Sequence, residues 1–533
     1  MRRPNRTQLI IAVLAVGVFA AGLVTYLAER TDGQSKPSIA SDVGQIIPSQ
    51  GAKLAAEVIT PKGVAHPPLV VMPAGWGQAG TEYHFVGLRF AQSGYEVVAY
   101  GQRGFGKSTG AVDFAGAGSQ HDVTAVIDWS LANTSADASR IAVLGVSYGA
   151  GVGLLAAAHD KRIRAVAALS TWADVGAVFD PAGTPSTAAL ASLIGGKLNG
   201  VHYDATTTRL RNTLLTDPIA AGAAVRAIAR TRSPVTYVRD LNANHPAIML
   251  ANGFQDSIFP PAQLVPFFTA LTTPKRLQLA GGDHGGAELG ELLGEKVGGP
   301  ITDALAWFDH YLLGKDNGIQ SEGPIIIKDA QRVSTRSFAS WPQAPVRQRV
   351  HLGIPGATSN QTGNLAAPTW RAQILAGYDS TAASGQAQLV PGASYNPPHD
   401  PVTTLNKGTA FVWIGPPSVT PVTLTGIPTL QLSLGSSAGR PTVFVYLYDV
   451  DSNGLGTLID FQPYTADGGT TAHPVPVTIT MQPVSWSIDS GHRLGLVIDS
   501  VDARFRSHTP KNAIITATAT AKYPATFTAP VSS

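Results

Sequence analysis

The sequence predicts an open, mostly parallel α/β sheet carrying a helical insertion, followed by an all-β domain. Three observations lead there. From about residue 50 to 320, short apolar runs alternate with helical patterns (PPLVVMPAG, YEVVAY, RIAVLGV, IRAVAALS, PAIMLANG, RLQLAGG). Most of these runs lack period-two alternation, as strands buried on both faces do. Between Thr171 and His245 the pattern is Ala-rich and helical (TAALASLIGG, AAGAAVRAIAR), which places a helical insertion at about 172–245. From about Pro345 onward Thr, Val and Pro abound, and short alternating runs such as PTLQLSL and HRLGLVI are separated by Gly, Asn and Pro turns. That is the pattern of a β-sandwich, assigned to 321–533.

Composition agrees with a core-forming chain of two or three domains: 533 residues, 44% hydrophobic and 14% charged. A formal net charge of +3 without a dense basic stripe gives no reason to expect a nucleic-acid partner. With no cysteine there is no disulfide, thiolate metal site or cysteine nucleophile, and no pattern in the chain calls for a metal or a cofactor. At the N-terminus Arg2, Arg3 and Arg6 precede an uncharged run from Leu9 to Leu27. This is just long enough to span a bilayer, and the basic flank predicts export of the chain beyond Leu27. A cleaved signal peptide competes through the small residues of Val18-Phe19-Ala20, but Leu23, Val24, Tyr26 and Leu27 prolong the apolar run and favour an uncleaved anchor over 1–30. The Ser-, Gln- and Pro-bearing stretch 31–49 reads as a linker.

Within the α/β region, GQRGFGKSTG (Gly101–Gly110) matches a phosphate-binding loop letter for letter. A phosphate loop needs a helix to begin at its Lys-Ser, and here Gly110, Gly116 and Gly118 follow instead. The next helix is expected near Ser119, with Ser119 and Asp122 as a capping box. RIAVLGVSYGAGVGLLAAA is the sharper signal: a strand, then Gly145-Val146-Ser147-Tyr148-Gly149, then an Ala/Leu helix. Glycines at 145 and 149 leave room for a tight strand-to-helix turn that presents Ser147 as a nucleophile. Asp256 in FQDSIFPP and His284 in DHGGAE each follow a strand, in the order Ser, Asp, His. Asp283 and Asp240 are alternative acids. His84, His121 and His245 are the other histidines near the predicted pocket. The amides of Tyr148 and of Trp76, in the loop MPAGWGQAG, are the expected donors to an oxyanion. Trp172, Phe179 and Tyr203 in the insertion are candidate pocket walls. DVDSNG, with Asp460 eleven residues after Asp449, imitates a calcium loop, but its strand-like flanks favour a hairpin.

GVSYG, QDSIFPP, GGDHGG and QRGFGKSTG together resemble the α/β-hydrolase superfamily, in which R-G-x-G-x-S forms a structural turn after a central strand. Gly101-Gln102 stands where that pattern usually has an acidic residue. SWPQAPVRQRVHLG, VFVYLYDVDSNGLGTLIDF and WSIDSGHRLGLVIDSVDARF are similar to the C-terminal jelly roll of X-Pro dipeptidyl-peptidases and bacterial acyl esterases such as cocaine esterase. The resemblance spans roughly 49–509. It implies a doubly wound hydrolase sheet at 50–320 with a helical cap, and a structural role for Arg103. It implies a serine hydrolase acting on a small acyl ester or short peptide through Ser147, Asp256 and His284. An esterase is expected ahead of an X-Pro dipeptidyl-peptidase, and a non-catalytic surface-binding module is the alternative of a different class.

Overall fold

The computed structural model describes residues 36–532 except 197–199, 296, 330, 332–333, 342–345, 357–367 and 386–396. The apolar run Leu9–Leu27 lies outside the described residues. Among the described residues, no helix is long and apolar enough to cross a membrane.

The first domain is built on ten strands: β1 (Ile39–Ser49), β2 (Ala52–Pro61), β3 (Pro68–Pro73), β4 (Glu96–Tyr100), β5 (Asp137–Val146), β6 (Ile163–Leu169), β7 (Ala247–Gly253), β8 (Lys275–Ala280), β9 (Ile325–Lys328) and β10 (Thr335–Phe338). Their order is β1-β2-β4-β3-β5-β6-β7-β8-β9-β10, parallel from β4 through β9 and antiparallel at both edges. Every residue of β3, β4 and β7 is buried, which is why these runs carry no alternation. The chain lays β4 on one side of β3 and then β5 on the other. This reversal opens a crevice at the carboxyl ends of β3 and β5. Helix α1 (His84–Gln92) follows β3, α2 (Ala117–Asn133) precedes β5 and α3 (Tyr148–His159) follows it. All side-chain positions of α3 from Tyr148 to Ala158 are buried, consistent with its lack of a polar face.

Three expectations need correction. The segment 39–49, read as linker, is the edge strand β1, paired antiparallel with β2. Only one face of an edge strand needs to be apolar: Ile47 is buried, whereas Val43 and Ile46 are 63% and 50% exposed. Secondly, α2 starts at Ala117, so Ser119 and Asp122 lie inside it and form no capping box. The carboxylate at the helix start is Asp113, which accepts from the Ser119 amide (3.0 Å) and hydroxyl. Thirdly, β9 and β10 complete the first sheet, so the first domain extends to Phe338, past the expected boundary at 320.

Between β6 and β7 the described chain is helical without a strand, as expected, with main helices Val175–Phe179, Ala205–Thr216, Pro218–Ala229 and Val238–Asn244. Asp204 and Asp217 cap the second and third through the amides of Thr207 and Ala220.

The second domain is all-β, with an eight-stranded and a five-stranded sheet paired antiparallel throughout. Trp413, Leu430, Val445, Ile498, Ile515 and Phe527 share its core. PTLQLSL and HRLGLVI fall on strands Thr429–Ser436 and Arg493–Asp499. DVDSNG is a hairpin turn between Thr442–Val450 and Gly456–Thr465, where Asp451 accepts from the amides of Asn453 and Leu455. Asp449 faces Trp486 and His492 instead, and Asp460 accepts from the amides of Phe461 and Gln482. The domain meets the insertion through Thr184 with Thr465, 2.8 Å between hydroxyls, and through the Ala188 amide on the Arg504 carbonyl.

Candidate active site

At the end of β5 the backbone turns sharply into α3. Ser147 holds this corner at φ 57°, a left-handed value that a serine adopts only under strain. The flanking glycines are required by close approach. A Cβ at 145 would lie 2.4 Å from the Ala150 amide, and one at 149 would lie 1.9 Å from the Pro73 carbonyl. The corner therefore packs α3 directly against the end of β3 and leaves the Ser147 hydroxyl at the crevice.

His284 and Asp256 arrive from the loops after β8 and β7. His284 Nε2 is 2.8 Å from Ser147 Oγ, and its Nδ1 is 2.9 Å and 3.0 Å from the two Asp256 oxygens. Asp256 is aimed by the amides of Ile258 (3.0 Å) and Phe259 (2.7 Å) and by the Asn252 side chain (3.1 Å). Asp283 does not compete for the imidazole. Its Oδ1 accepts from the amides of Ser257 and His284, both at 2.7 Å, and so braces the two loops against each other. Asp240 is exposed on its helix, His84 pairs with Glu57, and His121 and His245 are exposed.

Burial opposes charge on the His284 imidazole, but the Asp256 carboxylate and its hydrogen bond outweigh it, with Glu288 and Asp283 adding to the effect. The net result is a pKa raised above the ordinary imidazole value. Two further carboxyls stand close by. Burial pushes Glu288 up to about 7, against a hydrogen bond from the Ser170 hydroxyl, whose oxygen also accepts from the Gly285 amide. Burial likewise pushes Glu82 up to about 7, against the hydrogen bond it accepts from the Gly75 amide at 2.7 Å.

A cavity of about 320 Å³ opens onto Ser147 and His284. Its walls come from the loop after β3 (Gly75, Trp76, Glu82), from Phe85, and from Leu289 and Leu293 beyond the histidine. Trp76 thus lines the same cavity as Ser147. Its indole donates to the Leu193 carbonyl (3.0 Å) and meets the Tyr148 ring edge-on at 5.0 Å. Tyr148 opens α3 with its hydroxyl accepting from the Ala115 amide. The three wall candidates of the insertion are elsewhere. Trp172 and Phe179 are buried in an aromatic cluster with Phe259, at 5.2 Å and 6.0 Å, and Phe259 in turn stands edge-on to His284 at 5.1 Å. Tyr203 bridges Val112 and packs on the main core. Large apolar rings in the insertion bury against the elbow instead of bordering the cavity. Sequence reasoning missed Glu82, Glu288 and the leucines after His284, none of which belongs to a recognisable motif.

The phosphate-loop likeness dissolves in the same region. No helix starts at Lys107, which is exposed. Arg103 instead grips Asp122 (2.8 Å and 2.7 Å) and the Gln50 carbonyl. Gln102 donates to the Ala74 carbonyl, supporting the loop that carries Trp76. Among the described residues no cluster of potential metal ligands occurs.

A mixed sheet with a nucleophile elbow at β5 and an Asp–His–Ser chain over its carboxyl edge defines an α/β-hydrolase-like domain. The chain belongs to the X-Pro dipeptidyl-peptidase (S15) family: the model of that family matches residues 50–286, and the model of the X-Pro dipeptidyl-peptidase C-terminal non-catalytic domain matches 317–527. A Mycobacterium bovis protein named as a serine esterase is 26% identical over 318 residues, covering 51% of this chain and 48% of that protein. The chain thus spans about half the length of the curated relatives it matches. Among solved structures, an aminopeptidase from a marine-sediment Thaumarchaeota archaeon superposes with TM-score 0.73 at 14% identity, covering 97% of this chain and 100% of that one. A CocE/NonD family hydrolase from Staphylococcus aureus gives 0.70 at 14%, covering 96% and 100%. At this identity the likeness is one of fold.

Proposed function

We propose that this chain is a serine hydrolase that cleaves ester bonds of small acyl substrates. The observation that carries the reading is the continuous hydrogen-bonded chain from Asp256 through His284 to Ser147 beside an open cavity. Ser147 Oγ attacks the carbonyl carbon while His284 Nε2 takes its proton, and Asp256 holds Nδ1–H and stabilises the imidazolium. The Tyr148 and Trp76 amides receive the oxyanion. Collapse of the tetrahedral intermediate expels the alcohol, which takes the proton from His284, and water then hydrolyses the acyl-enzyme by the same route. The helical insertion acts as a cap and the second domain is a jelly roll.

Dipeptidyl-peptidase activity on X-Pro amides is the second reading, favoured by the matched family. Such an enzyme needs an acidic group for the substrate's free amine, and Glu82 in the cavity wall is available for it. On sequence grounds alone, Leu9–Leu27 tethers the enzyme to a membrane with its catalytic domain outside the cytoplasm.

The test is fluorophosphonate labelling together with turnover of short acyl esters and X-Pro amides side by side. Labelling and ester turnover should both vanish in Ser147→Ala, by a factor on the order of 10⁶ in rate for such triads. Unlabelled, well-folded wild type would leave a binding module, and amide turnover dominating by orders of magnitude would make it a peptidase.

A further inference from the structure

The loop that supplies Asp256 is held from both domains. On the side of the first domain, the Ser257 amide donates to Asp283 at 2.7 Å. The other face of the same residue is held by the second domain: Arg504 donates from a terminal guanidinium nitrogen to the Ser257 carbonyl at 2.6 Å. Six residues beyond Asp256, the Ala262 amide donates to Gln482 of the second domain at 2.9 Å. Arg504 is itself firmly placed. It is 2% exposed, its guanidinium lies 4.5 Å from the Phe461 ring centroid and 5.5 Å from that of Phe505, and it also reaches the Ser384 carbonyl. Its backbone amide donates to Asp502, and its carbonyl accepts from Ala188 in the insertion. Burying a guanidinium is costly unless it is well bonded, so its delivery to the residue next to a catalytic acid calls for an explanation.

We infer that Arg504 is a positioning residue for the hydrolytic site, through which the all-β domain fixes the Ser257–Ile258 peptide unit, whose amide donates to Asp256, and hence the aim of that carboxylate at His284. Catalytic carboxylates tolerate little displacement, since an error of about 1 Å can cost on the order of 10² in rate. The inference rests on the proposed roles of Ser147, His284 and Asp256. It adds that the second domain, matched as non-catalytic, acts on the rate.

Arg504→Ala and Arg504→Lys test it, with Thr184→Val as a control that removes a buried contact between the domains away from the acid loop. In Arg504→Ala, kcat on a short acyl ester should fall about tenfold or more while KM changes less than about twofold. The acid limb of kcat/KM should move to lower pH, because a misaimed Asp256 no longer raises the His284 pKa. Added guanidinium ion should restore part of the rate. Thr184→Val should melt earlier yet keep its acid limb and kcat. The downfield NMR signal of the His284 Nδ1 proton gives a readout independent of substrate, and it should weaken or shift in Arg504→Ala alone. If Arg504→Ala does not fold, Arg504→Lys decides by the same three readouts. Unchanged kcat, acid limb and Nδ1 signal in the folded variant would overturn the inference. A wild type with the Nδ1 signal intact but no ester turnover would count against the proposed substrate, not against this positioning role.

Discussion

Glu288 is a carboxyl whose proton the fold holds well beyond the ordinary glutamate range, at a position where the site feels its charge once the proton is lost. Its pKa of about 7 in the folded protein stands well above the ordinary glutamate value of about 4.3. Between those values the unfolded chain has lost the proton and the folded one has kept it, so stability falls as pH rises from about 4.3 to 7, and above 7 the full penalty remains. Glu288→Gln should therefore raise stability at pH 8, and Tm with it, by no more than about 4 kcal/mol, and leave both unchanged at pH 4. A Tm–pH profile parallel to the wild type across that window would show that burial does not hold this proton. With His284 as the proposed base, its raised pKa should place the acid limb of kcat/KM above the ordinary imidazole value, which a pH–rate profile checks. At this scale Ser147, Asp256 and His284 were legible because each stands directly after a strand and in a fixed chain order. Glu82 and Glu288 were not, since a carboxyl's state depends on burial contributed by residues far away in the chain. Trp172 and Phe179 were misplaced for a related reason, as an aromatic in a helical segment gives no sign of which side it buries.

The elbow is the element on which the site depends. Gly149→Ala would drive a methyl group into the Pro73 carbonyl, separating α3 from β3 and moving Ser147 relative to the Trp76 loop. Overpacking of this kind costs about 1–3 kcal/mol, and ester turnover should drop by about 10² or more with the displaced nucleophile. Gly196→Ala is the control, with open space around the added Cβ, and should change neither Tm nor rate. Equal behaviour of the two variants would mean that the elbow yields without harm. The same elements show what patterns can and cannot reveal. β3, β4 and β7 announce themselves because both faces are buried. β1 does not, because its main contribution is a row of backbone hydrogen bonds that side chains need not advertise. The false capping box fails because Ser119 and Asp122 turn inward, toward Asp113 and Arg103.

At the scale of the whole molecule, the boundary between the domains runs beside the catalytic loops, with Thr184, Ala188, Ser257 and Ala262 all bonded to second-domain groups. Residues 36–338 expressed alone should melt earlier than the full chain and label with fluorophosphonate at least about tenfold more slowly. Labelling at the full rate would show that the first domain is self-sufficient. The clasp on the acid loop also has a consequence in time. A ribosome delivers the ten strands of the first sheet well before Gln482 and Arg504, and domains fold in the order in which they emerge. The nucleophile corner can thus be complete while the loop bearing Asp256 still lacks both of its outer supports. On the proposed roles of Ser147, His284 and Asp256, the full hydrolytic rate is then reached only after Arg504 has docked, and a nascent chain that still lacks it turns over more slowly.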